Sequence, residues 1–257
     1  MNTTSLRELT SREYSQYIRQ GGDLVFLPVG SIERRGPHLP LGAHCYIANT
    51  LCSLLANRFG GLCAPLIPFS SVDNKFSGVS GHMCLNAKAT YDYILDVCHE
   101  FSVNGLRRII IVGYMRELYY IPHEMFQREN VPVLHVNPAS IILDEQQEPD
   151  AQETWLTAAA LKLAGRDDLL EGLLNRNIQF TGKYNDPRDS NKNWYSIGVS
   201  GITMSKNQWE VLPISRIDVS AAIMVINKWV DDMATPLSDL EKYCGFLSHR
   251  RFDRGIV

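Results

Sequence analysis

Five side chains able to do chemistry crowd into one short stretch: Glu33, Arg34, Arg35, His38 and His44. A carboxylate and imidazoles can move protons or ligate metals, and guanidinium groups grip anions through fixed forks of donors. The stretch follows an apolar run, Leu24-Val25-Phe26-Leu27-Pro28-Val29, that stops at Gly30-Ser31. Such a run reads as a strand buried on both faces. Pro37, Pro40 and Gly42 punctuate the polar span, which predicts a rigid loop. Helical spacing resumes near His44 with Ile47, Leu51, Leu54 and Leu55. Strand, charged loop, helix is how open α/β proteins present ligand-binding groups at a strand's carboxyl end.

Other polar groups stand at similar places further on. His82 lies in the Gly-rich segment Phe76–Lys88. Tyr114, Arg116 and Glu117 follow the buried run Ile109–Val112, and Glu153 closes the acidic stretch Asp144–Thr157. The elements expected to position them are a helix over Leu6–Arg19, capped at Thr10-Ser11 or at Thr4-Ser5, and a strand over Leu62–Phe69. A helix over Ala89–Asn104, a strand over Val131–Val136 and a helix over Ile217–Met233 follow. Residues 175–195 read as a polar surface excursion, and the basic end from Tyr243 as an arm. Alternating strands and helices predict an α/β fold in one domain over 1–257, with an N-terminal helix in 1–22 and a C-terminal arm over 236–257.

Composition narrows the function. The net charge is −3 with the two signs interspersed, so neither a nucleic-acid footprint nor a polybasic membrane patch is expected. The polar N-terminus lacks a signal-peptide core, and no apolar run nears the roughly 20 residues of a membrane span. The six cysteines form no CxxC pair and read as buried reduced thiols of a cytoplasmic protein. There is no GxSxG elbow, P-loop or GxGxxG. Gly30-Ser31 is too common a pair to signal a nucleophile, and adjacent His44 and Cys45 diverge by about 100° on a helix.

Residues 28–44, read as Pro28-Val29-Gly30-Ser31-Ile32-Glu33-Arg34-Arg35-Gly36-Pro37-His38-Leu39-Pro40-Leu41-Gly42-Ala43-His44, resemble the signature of the creatininase (creatinine amidohydrolase) family, roughly PxGSxEQHGPHLPLGTD. Gly78-Val79-Ser80-Gly81-His82 is similar to half of a second family block, and Glu153-Thr154 to the end of an HAGxxET loop. Tyr195–Gly201 is similar to a GVxG segment. The resemblance spans about 23–235 and implies a three-layer α/β fold with a mostly parallel central sheet flanked by helices. It also implies a homohexamer or other homo-oligomer, a small-molecule ligand, and amide C–N chemistry at two divalent metals. The Glu, the first His and the final Asp of the signature are metal ligands in the family. Here those positions hold Glu33, Arg35 and His44. At a later NGHGGN-like block, Tyr114 takes a ligand His and Arg116 an acidic ligand. Guanidinium groups cannot ligate, and a charge pair at about 4 Å under an effective dielectric near 20 repels by about 4 kcal/mol. The expectation is a lost dinuclear site and no cofactor.

Three functions stay open. The pocket could bind, and even transform, a small polar or anionic molecule, with Arg34, Arg35, His38, Arg116, Glu117 and Glu153 binding it and Glu33, His44, His82 and Tyr114 handling protons. Arg35 and Arg116 would then point inward and pair with Glu33 and Glu153, and Tyr114 between arginines could have a lowered pKa. The chain could instead be an inactive structural or regulatory subunit. The third reading is a hydrolase with one zinc or manganese ion rebuilt on Glu33, His38, His44 and Glu153. Plainer roles compete residue by residue: a solvated Glu33–arginine pair, His38 bonded to loop backbone, His44 starting a helix, and His82 packing.

Overall fold

The computed structural model describes residues 3–35, 38–72, 80–141, 149–175 and 217–253. The Gly78–Val79 half of the second block, the excursion beyond Asn175 and the Tyr195–Gly201 segment lie outside the described residues. Helix α1 spans Ser11–Arg19 and opens with a capping box: the Thr10 hydroxyl accepts from the Glu13 N–H while the Glu13 carboxylate accepts from Thr10. The cap is therefore Thr10, and Leu6–Glu8 forms a separate 3-10 turn. Strand β1, Leu24–Val29, is buried at every residue. Helix α2, Ala43–Phe59, ends at Gly60 in the left-handed region.

Strand β2 keeps only Leu62–Cys63 of the expected Leu62–Phe69. Pro65 and Pro68 lack the N–H a ladder needs, so pairing resumes only as a single bridge between Val29 and Ile67. Helix α3 (Ala87–Val103), strand β3 (Arg108–Gly113), helix α4 (Ile121–Glu129) and strand β4 (Val133–Val136) follow. Helices α5 (Pro149–Leu163), α6 (Asp167–Leu174), α7 (Val219–Asp232) and α8 (Ala234–Asp253) complete the described elements. The C-terminal segment is helical through Asp253, and Leu237 near the start of α8 joins the core.

The four strands pair in parallel in the order β2-β1-β3-β4. Period-two alternation splits each strand between two cores. Leu24 and Phe26 of β1, with Ile110 and Val112 of β3, face α2, α5 and α7. Val25, Leu27 and Val29, with Ile109 and Ile111, face α1, α3 and α4. This is the expected three-layer α/β arrangement. The chain leaves β1 toward β2 on one side, then returns to place β3 on the other. The crevice at the carboxyl ends of β1 and β3 is therefore a topological switch point, where open α/β sheets place their sites.

Candidate active site

Two glycines let that crevice close. A Cβ on Gly30 would lie 2.6 Å from the Cys45 Sγ and 2.7 Å from its Cα. Only a bare backbone lets α2 start directly against the end of β1, which sets His44 beside Ser31. A Cβ on Gly113 would lie 2.7 Å from the Val29 carbonyl oxygen. Its absence carries Tyr114 in over the same spot.

The result is a buried cluster drawn from distant segments. The Ser31 hydroxyl donates to Glu33 Oε1 at 2.6 Å and lies 3.0 Å from His44 Nδ1. His44 Nδ1 is 2.9 Å from the same carboxylate oxygen. On the other side of the ring, Nε2 is 3.1 Å from Glu153 Oε1 of α5, an ion pair set off the line of a well-formed hydrogen bond. Arg35 Nε spans the two acids, 3.5 Å from Glu33 Oε2 and 3.4 Å from Glu153 Oε1. The Tyr114 ring stacks on His44, with centroids 3.8 Å apart and planes 12° from parallel. Side-chain exposure is 2% for His44, 9% for Glu33 and 13% for Glu153, but 34% for Arg35. Arg35 therefore covers the cluster from the solvent side.

The electrostatics follow from this contact order. Burial pushes the Glu33 carboxyl up, but the His44 hydrogen bond, the Arg35 charge and the Ser31 hydroxyl outweigh it and hold it at about 2, against 4.5 ordinarily. Burial pushes His44 down, yet hydrogen bonds and charge from Glu153 and Glu33 leave it raised overall. Glu153, which burial pushes up, is held low by His44 and Arg35. A neutral imidazole would turn a lone pair toward one of two carboxylates, whereas imidazolium turns an N–H and positive charge toward both. With His44 protonated, two carboxylates face two cations, which is the condition under which buried charges persist.

Several expectations need correcting. Arg116 is exposed on a 3-10 turn, Arg116–Tyr119, that rotates it away from the crevice; only Arg35 of the expected inward pair points in. Glu117 also turns elsewhere: it accepts from the Ser71 hydroxyl at 2.9 Å and lines an open surface cavity of about 400 Å³ with Tyr91, Tyr120 and Glu124. The Tyr114 phenol is pushed well up, chiefly by burial and then by Glu153, because one arginine rather than two stands nearby. Its Oη is buried with no hydrogen-bond partner among the described residues. His38 Nε2 meets the Thr154 hydroxyl at 2.9 Å, so it ties the loop to α5. Arg34 is half-buried and His82 is buried beside Met83, which bridges Ile32 in antiparallel fashion. Ser31, dismissed as a nucleophile on sequence, is a member of the cluster. The signal available for it was its place at the end of a buried strand.

These residues fit a divalent metal poorly. Both His44 nitrogens already face carboxylates, and the point on which Glu33 and Glu153 converge is taken by the Arg35 guanidinium. Arg35 puts a fixed positive charge between the two acids. Among the described residues, no three His, Cys, Asp or Glu side chains gather so as to hold an ion. Ser31, His44 and Glu153 also align as nucleophile, base and orienting acid would. However, Ser31 is 3% exposed and donates its proton to Glu33 rather than to His44.

The family model for creatinine amidohydrolase (creatininase) matches residues 7–114. A creatinine amidohydrolase from Pseudomonas putida is 26% identical over 110 residues, 41% of this chain and 42% of that protein. A 3-dehydro-scyllo-inosose hydrolase from Thermotoga maritima is 25% identical over 132 residues, 50% of this chain and 42% of that protein. The matched part of the chain thus spans less than half the length of either relative. A tryptophan-to-alanine variant of creatininase superposes with a TM-score of 0.67 at 16% identity, covering 92% of this chain and 99% of that one. At that identity the superposition speaks for the fold.

Proposed function

We propose that this chain, which belongs to the creatininase family as a divergent member, does not hydrolyse amides through metals and serves instead as a non-hydrolytic subunit with a structural or regulatory role. One observation carries this reading: the place where chemistry would occur is filled by the protein's own compensated charges, Glu33 and Glu153 against Arg35 and His44. A hydrolase needs a polarised water or a free base within reach of a bound carbonyl. Here the imidazole is flanked by two acids and capped by a tyrosine ring, and the one serine donates to a carboxylate.

The test is turnover of creatinine and other small cyclic amides by protein purified without chelator and supplemented with zinc or manganese, alongside metal content by mass spectrometry. No turnover and no retained metal is the expected result. Near-stoichiometric metal with turnover that falls in Glu33→Gln would overturn the reading. We expect a homo-oligomer in the cytoplasm, and light scattering on a sizing column checks the first. Among the described residues, no helix is long and apolar enough to cross a membrane.

A second reading has its own observation. Arg35 is one-third exposed while its partners are not, and half-buried Arg34 and His38 belong to the same loop. That edge suits a small carboxylate or phosphate. Calorimetric titration with acetate, malonate and inorganic phosphate tests it; binding that disappears in Arg35→Gln would favour this reading over a purely structural role.

A further inference from the structure

The cluster shows which residue stands in the way of a metal ion. We propose that Arg35 is a resident counter-ion that takes the place of a bound divalent cation at this centre, and that this one side chain is what keeps such a cation out. The inference rests on the metal-independent reading above and assigns it a cause.

Geometry separates Arg35 from the other members of the cluster. Glu33, His44 and Glu153 are held from behind. The Glu33 backbone N–H donates to the Leu41 carbonyl at 2.9 Å, and its Oε1 is engaged by Ser31 and His44. His44 sits in the first turn of α2 under the Tyr114 ring. Glu153 lies on α5, whose next residue, Thr154, is tied to His38. Arg35 alone enters from solvent, and it meets the outward-facing acceptors, Glu33 Oε2 and Glu153 Oε1, at nearly equal distances of 3.5 and 3.4 Å. It does what a cation between two carboxylates does, but at nitrogen–oxygen spacing. Zinc–carboxylate bonds are about 2.0–2.2 Å. An ion replacing Arg35 would therefore draw each acid in by about 1.3 Å, a movement within the reach of glutamate side-chain torsions.

Removing Arg35 also leaves two buried carboxylates facing one imidazolium. An uncompensated buried charge is costly, and a divalent cation from solution, drawn between the two acids, is the species that relieves it. Lysine at the same position would keep the charge and hence the exclusion, although it lacks the guanidinium's shape.

The experiment compares the wild-type chain with Arg35→Ala, Arg35→Gln and Arg35→Lys by equilibrium dialysis against zinc and manganese, with circular dichroism as the check on folding. About one ion per chain is expected in Arg35→Ala and Arg35→Gln, together with a metal-dependent rise in melting temperature. Neither is expected in the wild type or Arg35→Lys, and adding Glu33→Gln to Arg35→Ala should abolish the gain. Folded Arg35→Ala and Arg35→Gln that take up no metal, beside a metal-free wild type, would overturn this proposal while leaving the proposed function standing. Arg35→Lys binding as well as Arg35→Ala would show that charge is not the barrier. A wild type that loads as fully as the variants would sink both readings.

Discussion

Replacing Glu33 by glutamine keeps the shape of the side chain and deletes its charge, which makes it the sharpest probe of the cluster. Contacts with His44, Arg35 and Ser31 hold the Glu33 carboxyl at about 2 in the folded protein, against 4.5 ordinarily. At about 1.4 kcal/mol per pKa step, that displacement corresponds to about 3 kcal/mol of folding stability. The folded-state value is the lower one, so this contribution is fully present above pH 4.5 and is lost as pH falls through about 2. Glu33→Gln should therefore be less stable than the wild type by about 3 kcal/mol at pH 7, and the gap should close progressively below about pH 4.5. Urea unfolding followed by tryptophan fluorescence measures it, since Trp155 and Trp229 pack against the core. Equal midpoints at pH 7 would refute the reasoning, as would a gap that persists unchanged to pH 2.5.

Three further outcomes follow from other parts of the fold. Tyr114→Phe removes a buried hydroxyl that has no partner among the described residues and should leave stability equal or up by about 1 kcal/mol; in the same urea series a loss above that size would mean the phenol is engaged. Gly113→Ala forces a Cβ to 2.7 Å from the Val29 carbonyl oxygen, and a loss of about 2 kcal/mol or more is expected in thermal unfolding. Burial pushes the Cys45 thiol to about 11 and the Cys98 thiol to about 12. Both should resist a disulfide reagent at pH 8 until urea is added, and rapid labelling of the folded chain at either would contradict their placement.

Local pattern carried much of this architecture, and long-range packing decided the site. Leu24–Val29 reads as a buried strand because six consecutive apolar residues leave no polar face, and all six are buried. Proline chemistry in Leu62–Phe69 hinted at an edge but not that two residues alone would pair. The C-terminal helix escaped notice because its polar, basic sequence hides a single core stripe that includes Leu237. Within the site, Glu33 and Arg35 could be placed by their loop. The imidazole bridge could not, since it depends on α5 docking Glu153 against α2 from the far side of the chain. Arg116 and Arg35 look alike on paper, each shortly after a strand end. A single 3-10 turn sends Arg116 outward, and nothing in its residue type foretells that.

The separation of the cluster's parts has a consequence for how the molecule assembles. His38 and Thr154, which close the same face, stand 116 residues apart, so a long loop must be closed before either contact forms. Segments that meet across such spans tend to come together late on the folding route. The four-charge knot should then act as a latch snapped after the rate-limiting step, governing how long the native state lasts more than how fast it is reached. In a chevron analysis, Glu153→Gln should steepen the loss through faster unfolding while refolding stays nearly unchanged. A chain built this way holds its shape by delayed escape: the knot that forms last is the one that must break first.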